Sequence, residues 1–119
     1  MKVFITGTEH LSVLNDEIIL RLDNIIRLNA DILIGNYKGV DQLVLRYLSN
    51  QKYSNVTVVE TGSRLSFGYQ IINVGRYPQQ DIWMSQEADY MLAIHDGKSR
   101  GVAANLRRMP SEKIRLVLV

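Results

Sequence analysis

The sequence contains no cysteine among its 119 residues. This absence excludes a disulfide framework, a cysteine-ligated zinc site and a thiol nucleophile. Only two prolines occur, and no low-complexity tract or internal repeat is visible, so the sequence offers no linker or domain boundary. We therefore expect one domain over residues 1–119, and we predict neither a metal site nor a cofactor.

Long apolar runs and a strong charge of either sign are also missing. No apolar run approaches the length that spans a membrane, and glycine interrupts the segment Met1–Gly7 too soon for a signal peptide. The cytoplasm is therefore the expected compartment. A net charge of +2 and a pI near 9.0 permit an anionic ligand but are too small to indicate a nucleic-acid partner.

What the sequence does contain is an alternation of short apolar runs and helix-forming segments. The apolar runs cover residues 3–5, 31–34, 56–59, 90–94 and 114–119. Helical spacing or helix-end signals fill the segments after Ser12, from Val40 to Leu48, from Pro78 to Glu87 and from Val102 to Met109. The alternation predicts an α/β fold: a Rossmann-like three-layer domain whose five-stranded, mainly parallel sheet has the order 3-2-1-4-5.

Two helix starts and one connection can also be predicted. Ser12 is expected to cap the first helix, and Pro78 to occupy the first turn of the third. Three glycines break the pattern between residues 60 and 77. We predict a long connection there, with a helical turn around residues 69–73.

The segment Asp96–Gly101, which follows the fourth apolar run, has the composition of an anion-binding loop. It combines glycines that permit positive φ and close approach, two cations and a hydroxyl, in Gly97, Gly101, Lys98, Arg100 and Ser99. The following helix directs free backbone N–H groups at this loop. Asp96 would repel phosphate and suits a ribose hydroxyl, a base edge or the loop's own amides. A solvated turn is the alternative interpretation.

The predicted strand order brings several such loops together. The chain reverses direction between strands one and four, so the loops at residues 6–10 and 95–101 border a crevice, with residues 35–39 beside them. We predict ligand-binding residues in these loops and in the segments next to them: Gly7, Thr8, Gly35, Lys38, Gly39, Asp41, Arg76, Asp96, Gly97, Lys98, Ser99, Arg100 and Gly101. Asp41 could equally favour only the start of the second helix.

Other side chains in or near the crevice have ordinary interpretations. His10 and His95 are expected to be hydrogen-bonding residues, with a catalytic or metal-binding role as the alternative. Trp83 and Tyr77 are expected to pack structurally, although either could stack on a base.

Three familiar nucleotide and phosphate motifs fail on this sequence. Gly97-Lys98-Ser99 resembles the end of a Walker A loop, but Leu92 stands where that motif needs glycine. Gly7 lacks the companion glycines of a dinucleotide fingerprint. A phosphoacceptor receiver domain needs paired acids after strand one, where only Glu9 lies.

With these residues in place, the chain resembles the SLOG superfamily, Rossmann-like nucleotide-binding proteins with DprA/Smf, YspA/YpsA-related and LOG (lysine decarboxylase-like) branches. The resemblance covers nearly the whole chain. It rests on the segments Ile5-Thr6-Gly7, Gly35 with Lys38-Gly39-Val40-Asp41, Asp81 with Met84 and Ala88-Asp89, and the loop Asp96-Gly97-Lys98-Ser99 with Gly101.

The resemblance implies a nucleotide or nucleotide-derived ligand in the same crevice, bound by a sensor or cleaved at its N-glycosidic bond by an enzyme. LOG-type phosphoribohydrolases have R-K-x-x-M before strand four and P-G-G-x-G-T-x-x-E after it. This chain has Gln80 in place of that arginine, Val102 for the threonine and Asn105 for the glutamate. Glutamine and asparagine cannot supply the charge or carboxylate chemistry of that reaction.

Our leading hypothesis is therefore a domain that binds or senses a nucleotide derivative, with phosphate on the loop from Gly97 to Gly101. An enzyme that cleaves or transfers an N-glycosidic bond is the rival, with Glu9 or Asp96 as nucleophile or base. A purely structural subunit is a third possibility. The resemblance alone suggests a homodimer, and neither a membrane nor a nucleic acid is an expected partner.

Overall fold

A computed structural model describes residues 1–62 and 65–119 of the chain. The elements in these residues are β1 (Lys2–Gly7), α1 (Asp16–Arg27), β2 (Asp31–Gly35), α2 (Val40–Asn50), β3 (Val56–Val59), β4 (Gln70–Ile72), α3 (Gln79–Glu87), β5 (Tyr90–His95), α4 (Arg100–Leu106) and β6 (Ile114–Leu118). A short 3₁₀ turn, Ser111–Lys113, precedes β6. None of the helices within the described residues combines the length and apolarity needed to cross a membrane.

The strands of the described residues form one six-stranded sheet in the order β4-β3-β2-β1-β5-β6. Every neighbouring pair in it is parallel. The predicted α/β class with a parallel sheet is confirmed, and the arrangement is compatible with a Rossmann-like domain. The prediction of five strands is wrong, because a sixth strand extends the sheet beyond β3.

The extra strand, β4, lies where a helical turn was expected around residues 69–73. It has three residues, two of them exposed, and it pairs with β3. The Glu60 amide donates to the Ile72 carbonyl at 2.8 Å, which continues this pairing beyond the strand. Three residues at a sheet edge are too few for an alternating pattern, so backbone pairing rather than a hydrophobic period defines this strand.

Several helix ends differ from the predicted ones. Pro78 is the N-cap of α3, which begins at Gln79, so it does not occupy the first turn as predicted. Helix α4 ends at Leu106 rather than near Met109. Asn15, not Ser12, caps α1, because its Oδ1 accepts from the Ile18 amide at 2.9 Å. Helix α4 begins at Arg100, two residues earlier than expected, because the Ser99 side chain accepts from the Val102 amide at 3.3 Å. Side-chain oxygens thus satisfy amide donors that the first turn of a helix leaves free.

Two buried clusters separate the helices into layers on opposite faces of the sheet. Successive side chains of β1 point to opposite faces, so Val3 and Ile5 join the cluster that contains α1 and α2 residues. Phe4 joins the cluster formed with Met84 of α3 and Val102 of α4. The connections at the carboxyl ends of β1 and β5 therefore leave toward different layers, which opens a cleft between them.

Candidate functional site

The cleft between the carboxyl ends of β1 and β5 has a volume of about 620 Å³. The two strands are neighbours in the sheet, and the chain order reverses at this point. Residues from four segments line the cleft: Thr6, Gly7, Thr8, Glu9 and His10; Tyr37; Tyr77 and Asp81; Asp96, Lys98, Ser99, Arg100, Gly101 and Val102.

The structure brings together about half of the residues predicted to bind a ligand. The cleft lining includes seven of them: Gly7, Thr8, Asp96, Lys98, Ser99, Arg100 and Gly101. Six lie outside it: Gly35, Lys38, Gly39, Asp41, Arg76 and Gly97. Both candidate catalytic acids, Glu9 and Asp96, belong to the lining.

Asp96 organises the loop that follows β5. Its Oδ2 accepts from the hydroxyl of Thr8 at 2.7 Å, and its Oδ1 accepts from the amides of Lys98 and Ser99 at 2.8 and 2.9 Å. The Thr8 hydroxyl bond, followed by the two amide bonds, holds the pKa of the Asp96 carboxyl well below its usual value. Asp96 is therefore a charged structural acceptor for the loop, and a carboxylate held in this way is a weak base.

These contacts, together with one at Ser99, occupy backbone amides of the loop that could otherwise bind an anion. The Lys98 and Ser99 amides donate to Asp96, and the Val102 amide donates to the Ser99 side chain. These backbone donors are therefore already satisfied within the protein. The positive charge in the cleft lining comes from the side chains of Lys98 and Arg100.

Two of the predicted ligand-binding glycines permit close packing of the chain against itself. A Cβ on Gly7 would lie 2.4 Å from the Val40 side chain, and a Cβ on Gly39 would lie 2.5 Å from the Glu9 carbonyl carbon. Gly39 also has a φ of +80°, which side-chain-bearing residues rarely adopt. The loop after β1 is thereby seated on the start of α2, where the Val40 amide donates to the Thr8 carbonyl at 3.1 Å.

At the rim of the cleft, Glu9 forms an ion pair with Lys38. The Lys38 Nζ and Glu9 Oε2 atoms are 3.6 Å apart, and both side chains are about half exposed. Lys38, which is predicted to contact ligand, thus contacts one of the two candidate catalytic acids.

A hydrogen-bond network centred on Asn105 joins two residues of the cleft lining, Thr6 and Asp81, which we call the floor of the cleft. The Asn105 Nδ2 donates to Thr6 Oγ1 and to Asp81 Oδ2, each at 3.0 Å, and Arg108 donates to Asn105 Oδ1. Asn105 is completely buried and Asp81 is 4% exposed. Burial raises the pKa of the Asp81 carboxyl, while the Asn105 hydrogen bond and the charge of Arg108 oppose that shift.

Beside this floor, the segment 37–41 holds buried polar atoms without partners among the described residues: the Tyr37 hydroxyl and the Asp41 Oδ1. The other Asp41 oxygen accepts from the Tyr37 amide at 3.3 Å. Burial raises the pKa of Asp41 well above its usual value, and it raises the pKa of Tyr37 with smaller contributions from Asp81 and Asp41.

The remaining predicted residues take simpler positions. His10 is exposed in the cleft lining, whereas His95 lies behind the loop with its Nδ1 3.8 Å from Asp96 Oδ1, too far for a hydrogen bond. Arg76 is exposed outside the cleft, Trp83 packs against the core, and Tyr77 lines the cleft with 57% of its surface exposed. No cluster of three metal-ligating His, Cys, Asp or Glu side chains occurs in the described part of the chain.

Sequence reasoning missed two cleft residues that carry functional groups, Tyr37 and Asp81. Asp81 entered the sequence analysis only through the family resemblance, because it lies in a helical segment rather than in a loop at a strand end. No local pattern in the sequence indicates that this helical segment faces the cleft.

Comparison with known proteins adds no assignment for this chain. No protein-family model matches it, and no curated protein matches it at a significant level.

Proposed function

We propose that the protein binds a nucleotide or a nucleotide-derived ligand in the cleft between β1 and β5. The observation that carries the proposal is the joint position of Lys98, Arg100 and Asp81 in the lining of one cleft at the reversal of the strand order. In open parallel sheets, ligands bind in the crevice at this reversal point. The volume of about 620 Å³ lies within the usual range of small-molecule sites.

The phosphate of such a ligand is assigned to the side chains of Lys98 and Arg100. Both line the cleft at the start of α4, and they supply charge-assisted donors that an anion requires. Asp96 supports this assignment indirectly, because its three hydrogen bonds fix the loop that carries Lys98. The resemblance to nucleotide-binding SLOG proteins, stated from the sequence, favours the same ligand class.

Cleavage of an N-glycosidic bond remains the alternative function. The lowered pKa of Asp96 and the three hydrogen bonds that it accepts disfavour it as a nucleophile or base. Glu9 is the better candidate acid, because it is exposed in the cleft lining and its carboxylate lies 3.6 Å from the Lys38 ammonium group. Asn105, which stands in place of the LOG glutamate, donates its amide hydrogens to Thr6 and Asp81.

The test is calorimetric titration with AMP, GMP, CMP and UMP, with chromatography of each mixture for released base. We expect binding without release of base. The paired change Lys98→Ala with Arg100→Ala is expected to weaken binding at least about tenfold, because hydrogen bonds to charged groups contribute about 1.5–3 kcal/mol each.

The matched control is Lys113→Ala with Arg115→Ala, which removes the same charge from exposed positions outside the cleft. This pair is expected to leave affinity within about twofold. Unchanged affinity in the Lys98/Arg100 variant would contradict the phosphate assignment. Release of base that Glu9→Gln abolishes would favour the enzyme instead.

A further inference from the structure

The floor of the cleft contains acceptor capacity that a phosphate cannot use. Asp81 is 4% exposed, lines the cleft and carries a carboxylate with about four acceptor positions. Asn105 occupies one of these positions at 3.0 Å. A carboxylate repels phosphate and accepts hydrogen bonds from neutral donors. Asp81 and the two cations, Lys98 and Arg100, are therefore expected to contact different parts of one ligand.

The position of the Asp81 carboxylate is fixed by the fold. A single amide group, Asn105 Nδ2, joins it to Thr6 Oγ1 on β1, and Arg108 in turn holds the Asn105 oxygen. The carboxylate is thus tied both to a central strand and to α4. Because these partners are buried or part-buried, Asp81 is set in place before any ligand arrives, which lowers the entropy cost of binding.

The cations and this carboxylate belong to different segments of the cleft lining. Asn105, the partner of Asp81, follows Gly101 in the cleft lining by four residues on α4, a rise of about 6 Å along the helix axis. Arg100 immediately precedes Gly101. The lining is therefore cationic near the start of α4, whereas the Asp81 carboxylate is held by a residue one helical turn farther along α4.

Tyr37 supplies a second, independent observation in the same cleft. It lines the cleft, and its hydroxyl is buried without a hydrogen-bond partner among the described residues. A buried hydroxyl with no partner is costly and is expected to find one in a ligand complex. Asp81 lines the same cleft, so one ligand in it could contact both groups.

We propose that Asp81 binds the vicinal sugar hydroxyls of a ribose 5-phosphate moiety, with the Tyr37 hydroxyl as an additional partner, so that the cleft selects ribonucleotides over analogues without those hydroxyls. This inference rests on the proposed function. Two adjacent hydroxyls present two donors to one carboxylate, which satisfies acceptor positions that Asn105 leaves. The base is then expected to lie near Tyr77, whose exposed aromatic ring lines the cleft.

The experiment compares AMP with 2′,3′-dideoxy-AMP on the wild-type protein and on Asp81→Asn. The wild type is expected to bind AMP at least about tenfold more tightly, because the analogue leaves the remaining acceptor positions of the buried Asp81 carboxylate without donors. Asp81→Asn is expected to weaken AMP binding by about tenfold while binding of the dideoxy analogue stays within twofold. Glu87→Gln, an exposed change on the same helix, is the control and is expected to alter neither affinity.

Tyr37→Phe provides a second variant, because Asp81 is buried and its replacement could impair folding. Loss of the Tyr37 hydroxyl alone is expected to weaken AMP binding about threefold, with no change for the dideoxy analogue. Circular dichroism checks that each variant is folded. The inference therefore does not depend on the stability of the Asp81 variant.

The outcomes separate this inference from the function on which it rests. Equal affinity of the wild type for AMP and its dideoxy analogue overturns the sugar assignment and leaves nucleotide binding intact. Affinities that differ more than tenfold among the four bases, with no effect of the hydroxyls, also overturn it, because the floor would then contact the base. Failure of every nucleotide to bind the wild type overturns the proposed function together with this inference.

Discussion

Asp96 and Asp41 lie in segments that follow two strands of the same sheet, yet their carboxylates are in opposite situations. Asp96 accepts three hydrogen bonds, which lower its pKa. Asp41 is 3% exposed and accepts one hydrogen bond from the Tyr37 amide, and burial raises its pKa. Both residues are aspartates, so their side-chain chemistry is the same. The number of hydrogen-bond donors and the access to water decide whether each carboxylate stabilises its loop.

The largest effect is expected at Gly39, which is compared with Gly97 in the loop after β5. Gly39 and Gly97 both have a φ of +80°, but only at Gly39 would a Cβ meet the backbone of Glu9, at 2.5 Å. Gly39→Ala is therefore expected to cost at least about 3 kcal/mol, from overpacking added to backbone strain. Gly97→Ala, the matched control, is expected to cost about 1 kcal/mol from strain alone.

Urea unfolding of both glycine variants measures this difference. Equal destabilisation of the two would show that the contact between the loop after β1 and the start of α2 carries no special packing constraint. The loop that contains Gly39 would then be no more tightly packed than the loop that contains Gly97.

The next effect concerns the pH dependence that Asp41 introduces. Its folded-state pKa is raised above the usual 3.8. The folded protein therefore binds the proton more tightly than the unfolded chain, and stability falls as the pH rises above 3.8. Asp41→Asn is expected to remove this slope, which can reach about 1.4 kcal/mol per pH unit for one proton.

Urea unfolding between pH 4 and pH 7 tests the Asp41 prediction. The charged and titratable groups acting on this carboxyl are Tyr37, through its amide, and Asp81, through its charge. Asp81→Asn is therefore measured in parallel, and a slope lost only in that variant would assign the pH dependence to Asp81 instead.

The pH dependence of stability that Asp96 introduces is expected to have the opposite sign to that of Asp41 and to be smaller. Its folded-state pKa lies below the usual 3.8, so its contribution to stability is present above that pH and is lost as the pH falls through the lower folded value. Asp96→Asn is expected to be less stable than the wild type at pH 7, and the difference is expected to shrink below pH 3.8.

Thr8→Val refines the Asp96 prediction, because it removes the hydroxyl bond that contributes most to the lowered pKa and preserves the shape of a buried side chain. Thermal unfolding at pH 7 and pH 3 is expected to show that Thr8→Val, like Asp96→Asn, loses more stability at pH 7 than at pH 3. The loss is expected to be smaller than in Asp96→Asn. If the stability of Thr8→Val depends on pH as that of the wild type does, the hydrogen bonds from the Lys98 and Ser99 amides are sufficient to lower the pKa of Asp96.

The smallest effect is expected for the ion pair at the rim. The Lys38 and Glu9 charges are 3.6 Å apart, but both side chains are about half exposed. Lys38→Ala is expected to change the free energy of unfolding by no more than about 0.5 kcal/mol, and the difference is expected to disappear at high salt. A loss above 1 kcal/mol in urea unfolding would show that this pair links the loops more strongly than its exposure allows.

The sequence predicted much of the fold because strand and helix periods are local properties. The apolar runs that became β1, β2, β3, β5 and β6 were each long enough to be recognised. β4 was not, since its three residues have no period and its partner strand defines it. Asn15 was missed as a cap because Ser12 is an equally good capping residue by type, and only the backbone geometry distinguishes them.

The candidate site was predicted less completely than the fold. The loop after β5 was identified by its glycines and cations, and most of it lines the cleft. The roles of Gly7 and Gly39 could not be deduced, because a glycine needed for chain packing looks the same in sequence as one needed for ligand approach. Asp81 reaches the cleft through helix α3, and no local pattern indicates which face of that helix points there.

The sequence by itself determined the alternation of strands and helices and the positions of its glycine-rich loops, because these follow from local spacing and backbone freedom. Only the tertiary structure decided which polar groups satisfy one another. Thr8 bonds Asp96 from 88 positions away, and Thr6 bonds Asn105 from 99 positions away. Hydrogen bonding and burial depend on distance in space, so the difference between a satisfied carboxylate and one available to a ligand arises only when the sheet assembles.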